Sequence, residues 1–260
     1  MLTTARIRDG LGLVLGVALA PLAFAIARAR RSRVFHPRGL VYAGEVRSVA
    51  EEPRAQALAA RLAGPALVRF SSAIWKRREW PDVLGCALRF GDAPRDSTVR
   101  EGDQDLLFAT IRRPWTMPFA PLSTRFRDYL ANAYFAVSPF QAEGLGRVEF
   151  LLRPRAAGAR DGTRSDRLAA ACRTGEAELT LLYAPYRPPW RAFDERSFRP
   201  LVELKLREKL AGEGSALDTD LAFDPFRTGR GIVPRGLIHA LRIGVYRASQ
   251  RARAVQAREG

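Results

Sequence analysis

The chain has 260 residues, 47% of them hydrophobic and 27% charged, and a formal net charge of +16 at pH 7. That is enough apolar material for one sizeable core, and the charge comes almost wholly from arginine, because Lys76, Lys205 and Lys209 are the only lysines. The two cysteines, Cys86 and Cys172, and the two histidines, His36 and His239, lie far apart; they exclude a disulfide framework and a cysteine zinc site, and they lack partners at the spacing of a histidine metal site.

The first predicted element is residues 10–27, an uncharged apolar run of the length that crosses a bilayer as a helix. Arg6 and Arg8 precede it, and Arg28, Arg30, Arg31 and Arg33 follow. The excess behind the run favours a membrane anchor with the body in the cytoplasm. A cleaved secretory signal and a helix docked on the body's own apolar surface remain alternatives. Residues 1–32 are therefore set apart from the body, 33–260.

Within the body, 41–46 reads as a strand, and 51–62 reads as a surface helix with Pro53 where helices tolerate it. Residues 66–70, 85–90 and 106–111 read as further strands. The aromatic spacing of 124–136 predicts a helix. Residues 146–152 form another strand, 156–166 a loop rich in small residues, and 178–183 a strand. Residues 201–206 alternate apolar and polar as a half-buried antiparallel strand does. Residues 237–258 read as a last helix. The sum is an α+β protein, an antiparallel barrel with helices at its edges. Basic residues are not interleaved with aromatics over the length a nucleic-acid groove needs, which argues against nucleic acid as a partner. Oligomeric state has no signature here.

Two short motifs point to chemistry. Near the end, Arg242 and Tyr246 stand four apart, one helical turn, with Arg253 beyond. Near the start comes Arg33-Val-Phe-His36-Pro-Arg-Gly39. These residues, with Val68-Arg69-Phe70-Ser71, Asp82-Val-Leu-Gly85-Cys-Ala87-Leu-Arg-Phe90, Ala222-Phe-Asp-Pro225 and Gly231-Ile-Val-Pro234, resemble the motifs of the haem catalases, in the family's order.

The resemblance implies a catalase-core barrel over 33–260, a haem b cofactor and a peroxide substrate. Tyr246 would bind the iron as a phenolate, a hard anionic donor that favours peroxide chemistry, and Arg242 would keep it ionised. His36 would be the distal acid–base group, with Ser71 holding its imidazole. Arg33, Arg69 and Arg253 would grip the haem propionates. Phe108, with Phe119, would wall the haem. The family's distal asparagine is absent; Asp103-Gln104-Asp105-Leu106 stands there, and Gln104 would donate the same amide hydrogen bond from a longer arm. Phe35 replaces a smaller aliphatic residue before the distal histidine. The anchor ends just before Arg33, so a pocket near the lipid surface points to lipid hydroperoxides as well as hydrogen peroxide, whether consumed or rearranged in the manner of the related allene oxide synthases. A colourless, non-catalytic membrane-surface protein that uses its arginines on anionic headgroups is the alternative of another class.

Overall fold

The computed structural model describes residues 38–236, apart from 74, 76–78, 137, 158–160 and 189. Nine strands with the following bounds appear first: β1 Gly39–Ser48, β2 Gly64–Ser72, β3 Leu84–Phe90, β4 Gln104–Ala109, β5 Tyr134–Phe135, β6 Phe140–Ala142, β7 Gly146–Pro154, β8 Glu178–Pro185 and β9 Arg199–Ala211. A short β10, Ile232–Pro234, follows. All pair antiparallel in one sheet of order β10-β6-β7-β5-β4-β3-β2-β1-β9-β8. β7 also pairs with β8, so eight of the strands close into a barrel. Closure removes the free ladder edges at which sheets aggregate. Register shifts in the β1–β9 and β8–β9 pairs are the bulges that help a sheet curve into a barrel.

The interior follows from alternation. Leu40 of β1 faces Phe70 of β2 in register, then Cys86 of β3, then Phe108 of β4. All four are buried in the main core, with Tyr42, Val68, Leu88, Phe90, Tyr134 and Phe150. Phe70 packs on Tyr129 and Tyr134 with centroids 5.3 and 6.2 Å away. Gly44 also sits on this face, because a β-carbon there would meet Leu204 Cδ1 at 2.7 Å.

Helix α1, Pro53–Leu62, starts on the predicted proline and buries Ala55, Leu58, Ala59 and Leu62 at helical spacing. It connects β1 to β2 and closes one end of the core. A four-residue helix α2, Ala120–Ser123, follows β4. Helix α3, Arg164–Thr174, was not foreseen from the sequence. Its start is a capping box: Thr163 Oγ1 accepts from Asp166 N, and Asp166 Oδ2 accepts from Thr163 N at 3.1 Å. At the far end of β2, Arg164 plugs the barrel. Its Nη2 donates to Ser72 Oγ at 3.0 Å, and its guanidinium stacks on Tyr129. A last short helix, α4, spans Ala216–Asp220.

The helix predicted over 124–136 is corrected to a 3-10 turn, Tyr129–Ala131, and the short β5. Asx side chains compete for the backbone there. Asn132 Oδ1 accepts from Arg125 N, its Nδ2 donates to Arg125 O and Asp128 O, and Asp128 Oδ1 accepts from Leu130 N. Two of the segment's aromatics, Tyr129 and Tyr134, instead enter the barrel core. No helix among the described residues is long and apolar enough to cross a membrane; residues 10–27 lie outside them, as does the helix predicted over 237–258.

Candidate functional site

The outer wall of strands β1–β4 differs in kind from the interior, and its register places three rows side by side. The first runs Ala43, Leu67, Arg89, Asp105; the second Val41, Arg69, Ala87, Leu107; the third Gly39, Ser71, Gly85, Ala109. Four strands in succession thus present small side chains along the third row, all of them buried, with the Arg69 guanidinium over Gly39 and Ala120 packed with Ala109.

Both arginines of the wall are turned by buried carboxylates. Arg69 is 4% exposed, and its Nε donates to Asp218 Oδ1 at 2.7 Å. The other oxygen of Asp218 accepts from Gly39 N at 2.9 Å and Gly214 N at 2.8 Å. Asp218 reaches this point because Ser215 caps α4. Gly39 is required there, since a β-carbon would come within 2.7 Å of the Arg69 guanidinium carbon and 2.6 Å of Phe70 O. Burial pushes the carboxyl of nearby Glu213 above its usual range, against the pull of Arg164, Arg38 and Arg69 and with help from Asp218.

Arg89 and Asp105 face each other across β3 and β4 and are fully buried. Arg89 Nε donates to Asp105 Oδ1 at 3.0 Å, and Nη2 donates to Asp105 Oδ2 at 3.3 Å and Ala222 O at 2.7 Å. Arg227 and the Asp224 amide also donate to Asp105 Oδ2. Arg89 Nη1 is buried with no hydrogen-bond partner among the described residues. The Phe223 ring lies 5.1 Å from the guanidinium. This network folds the Ala222–Arg227 segment against the wall.

Of the site residues predicted from sequence, Ser71 and Arg69 stand on adjacent outer rows of β2, with Ser71 buried at 3% exposure. Two others do not join them. Phe108 points into the barrel, opposite Cys86 and in the main core. Gln104 is fully buried, and its amide is taken up at both ends by the 227–232 turn. Its Nε2 donates to Arg227 O at 2.9 Å, and its Oε1 accepts from Arg230 N and Ile232 N at 3.3 and 3.2 Å. His36, Arg33, Arg242, Tyr246 and Arg253 lie outside the described residues. Sequence reading missed Asp218 and the Arg89–Asp105–Arg227 network. The signal for the latter was Arg89 in a strand otherwise apolar on both faces, a position that demands a buried counter-charge.

The barrel with its flanking helices defines a catalase-like fold. A fungal catalase crystal structure superposes with a TM-score of 0.58 at 15% identity, covering 88% of this chain and 62% of that one. Catalase A from Saccharomyces cerevisiae superposes with a TM-score of 0.56 at 13% identity, covering 88% of this chain and 63% of that one. The chain thus spans under two thirds of the length of these catalases. No family model and no curated protein matches the sequence.

Proposed function

We propose that the chain is a haem-dependent enzyme that consumes peroxides, held at a membrane by residues 10–27 with its body in the cytoplasm. The observation that carries the reading is the third outer row. Gly39 pairs with Ser71 at its head, and three peptide units of at most ~3.6 Å each separate Gly39 from His36. Covalent reach therefore keeps the only early histidine within about 11 Å of a wall of small side chains. A row of glycine, serine and alanine favours a flat macrocycle over a bulkier group, and Arg69, held by Asp218 in the neighbouring row, would meet a propionate by sharing its guanidinium.

Haem b, when bound, supplies the redox change that cleavage of a peroxide needs. His36 would take the proton from the peroxide's near oxygen and return it to the far oxygen, so that water leaves from hydrogen peroxide and an alcohol from a lipid hydroperoxide. Ser71 holds the imidazole in the orientation that serves both transfers. Tyr246 holds the iron through its phenolate, with Arg242 keeping the proton off that oxygen. Arg33, Arg69 and Arg253 bind the propionates. The Gln104 amide serves the 227–232 turn, so the reading assigns it no hydrogen bond to peroxide, and Phe108 supports the wall from inside the barrel. The nearness of residues 10–27 to Arg33 and His36 favours a lipid hydroperoxide as substrate.

The purified chain should be coloured and show a Soret band. Tyr246→Phe should abolish or greatly weaken that band, and His36→Ala should keep it and lose turnover. A colourless protein, or a band indifferent to Tyr246→Phe, would overturn the reading. Rapid turnover of hydrogen peroxide with none of fatty-acid hydroperoxides would remove the lipid substrate alone.

A further inference from the structure

Large apolar side chains are unevenly exposed on this molecule. Six of the eight large exposed hydrophobics among the described residues fall in two segments: Trp75 and Trp80 in one, Trp115, Met117, Phe119 and Leu122 in the other. Leu122 is 81% exposed and Phe119 67%. The segments are far apart in sequence but meet in the fold. Ala73 and Val83, which bracket the first, pack with Ala109, Ala120 and Ile111, which frame the second. Thr110 Oγ1 ties them further, accepting from Leu84 N at 3.1 Å and bonding Thr124 Oγ1 at 2.8 Å. Trp75 and Trp80 meet edge to face, 5.0 Å between centroids, and the Trp75 indole N–H is satisfied by Pro81 O.

The charge around these side chains is mainly positive, with Arg113 paired to Glu149 at 3.5 Å. Residues 111–127 contain Arg112, Arg113, Arg125 and Arg127 and no acid. The acids of the first segment are engaged: Glu79 Oε1 accepts from Arg164 N, and Asp82 accepts from Trp75 N and Val83 N. Tryptophan beside arginine, with aliphatic tips projecting beyond, is the composition of a bilayer interface, where rings sit at the headgroups and cations meet anionic lipid.

We infer that this ridge docks the barrel onto an anionic lipid bilayer, with Phe119 and Leu122 entering the acyl boundary and Arg112, Arg125 and Arg127 on the headgroups. Charge separates this occupant from the others. A second copy would set one cationic ridge against another. The chain's own flanks are cationic too: residues 1–37 hold six arginines against Asp9, and residues 237–260 five against Glu259. A nucleic acid would satisfy the arginines and stack on the rings, but it gains nothing from Leu122, the most exposed of these side chains. The inference does not rest on haem binding, and its test needs no haem.

The test must read the ridge itself, whatever residues 10–27 do. In the full chain carrying Cys172→Ser, Leu122→Cys is labelled with a polarity-sensitive fluorophore; the remaining Cys86 is buried. Glu101→Cys serves as the control, since Glu101 precedes β4 and the ridge follows it. Phosphatidylglycerol vesicles should blue-shift the Leu122→Cys probe and raise its emission about threefold, while phosphatidylcholine vesicles and the control site stay silent. Adding Arg112→Gln, Arg125→Gln and Arg127→Gln should weaken the lipid response on the order of a hundredfold. An unresponsive probe overturns the inference. So does an equal response to neutral vesicles, to protein concentration alone, or to a single-stranded oligonucleotide.

Discussion

The inside and the outside of this barrel solve opposite problems with the same strands. Alternate residues of β1–β4 turn inward as Leu40, Phe70, Cys86 and Phe108, a row of bulk that excludes water. One residue further along, the same strands turn outward as Gly39, Ser71, Gly85 and Ala109, a row with almost no bulk. The two rows beyond it carry two buried arginines, Arg69 in the nearer and Arg89 in the farther, each met by an aspartate, Asp218 or Asp105. The interior therefore stabilises by burial, whereas the outer wall spends its side chains on shape and orientation, which is the division expected where a fold carries a site.

Substitutions can break that contrast in order of size. Phe70→Ala should cost the most, about 3–5 kcal/mol, because it opens a cavity among Tyr129 and Tyr134; urea denaturation reads it, and the midpoint should fall without a change in slope. Asp218→Asn should cost about 2–3 kcal/mol, since it removes the charge that holds Arg69 and two backbone amides. It should also loosen haem retention if Arg69 binds a propionate, which Soret absorbance per protein would follow. Gln104→Ala should cost about 1–2 kcal/mol and raise amide exchange at Arg230 and Ile232, whose N–H groups it leaves unpaired.

The smallest effect should appear only as a pH dependence. Burial raises the Glu213 carboxyl, so the folded state holds its proton to higher pH than the unfolded chain does. Below the ordinary carboxylate range both states are protonated and the burial penalty is absent. As pH rises through that range to the raised folded value, the penalty appears. Wild type should thus lose stability relative to Glu213→Gln as pH rises through this window, and melting temperatures of the pair from acid to neutral pH would show the gap opening. A gap that closes with rising pH would mean that the arginines around Glu213 outweigh its burial.

Much of this was legible in the sequence, and the residues explain what was not. Seven of the eight barrel strands were readable as short apolar runs bounded by turn residues, β5 being the exception, and α1 was readable because Pro53 and the 55, 58, 59, 62 spacing coincide. The segment 124–136 misled because its aromatics happen to recur at helical spacing, whereas Asp128 and Asn132 decide the backbone locally. Helix α3 was missed because its apolar face is short and its start lies in the capping pair Thr163–Asp166. Ser71 and Arg69, singled out by resemblance, share the outer face of β2. Gln104 and Phe108 were drawn to the site by resemblance, but strand parity turns both away from the wall that carries Ser71.

The Gln104 staple also has a mechanical side. The chain leaves the barrel through β10, laddered onto β6 by only three residues, and the turn just before it is fastened to β4 through Gln104 and the Asp105 and Gly229 amides. Tension applied at Gly236 would first unzip that three-residue ladder and then load the staple, leaving the eight-strand hoop untouched until both had yielded. A single-molecule pulling trace with the handle attached at Gly236 should accordingly show a small early step before the main rupture, and Gln104→Ala should move that step to lower force.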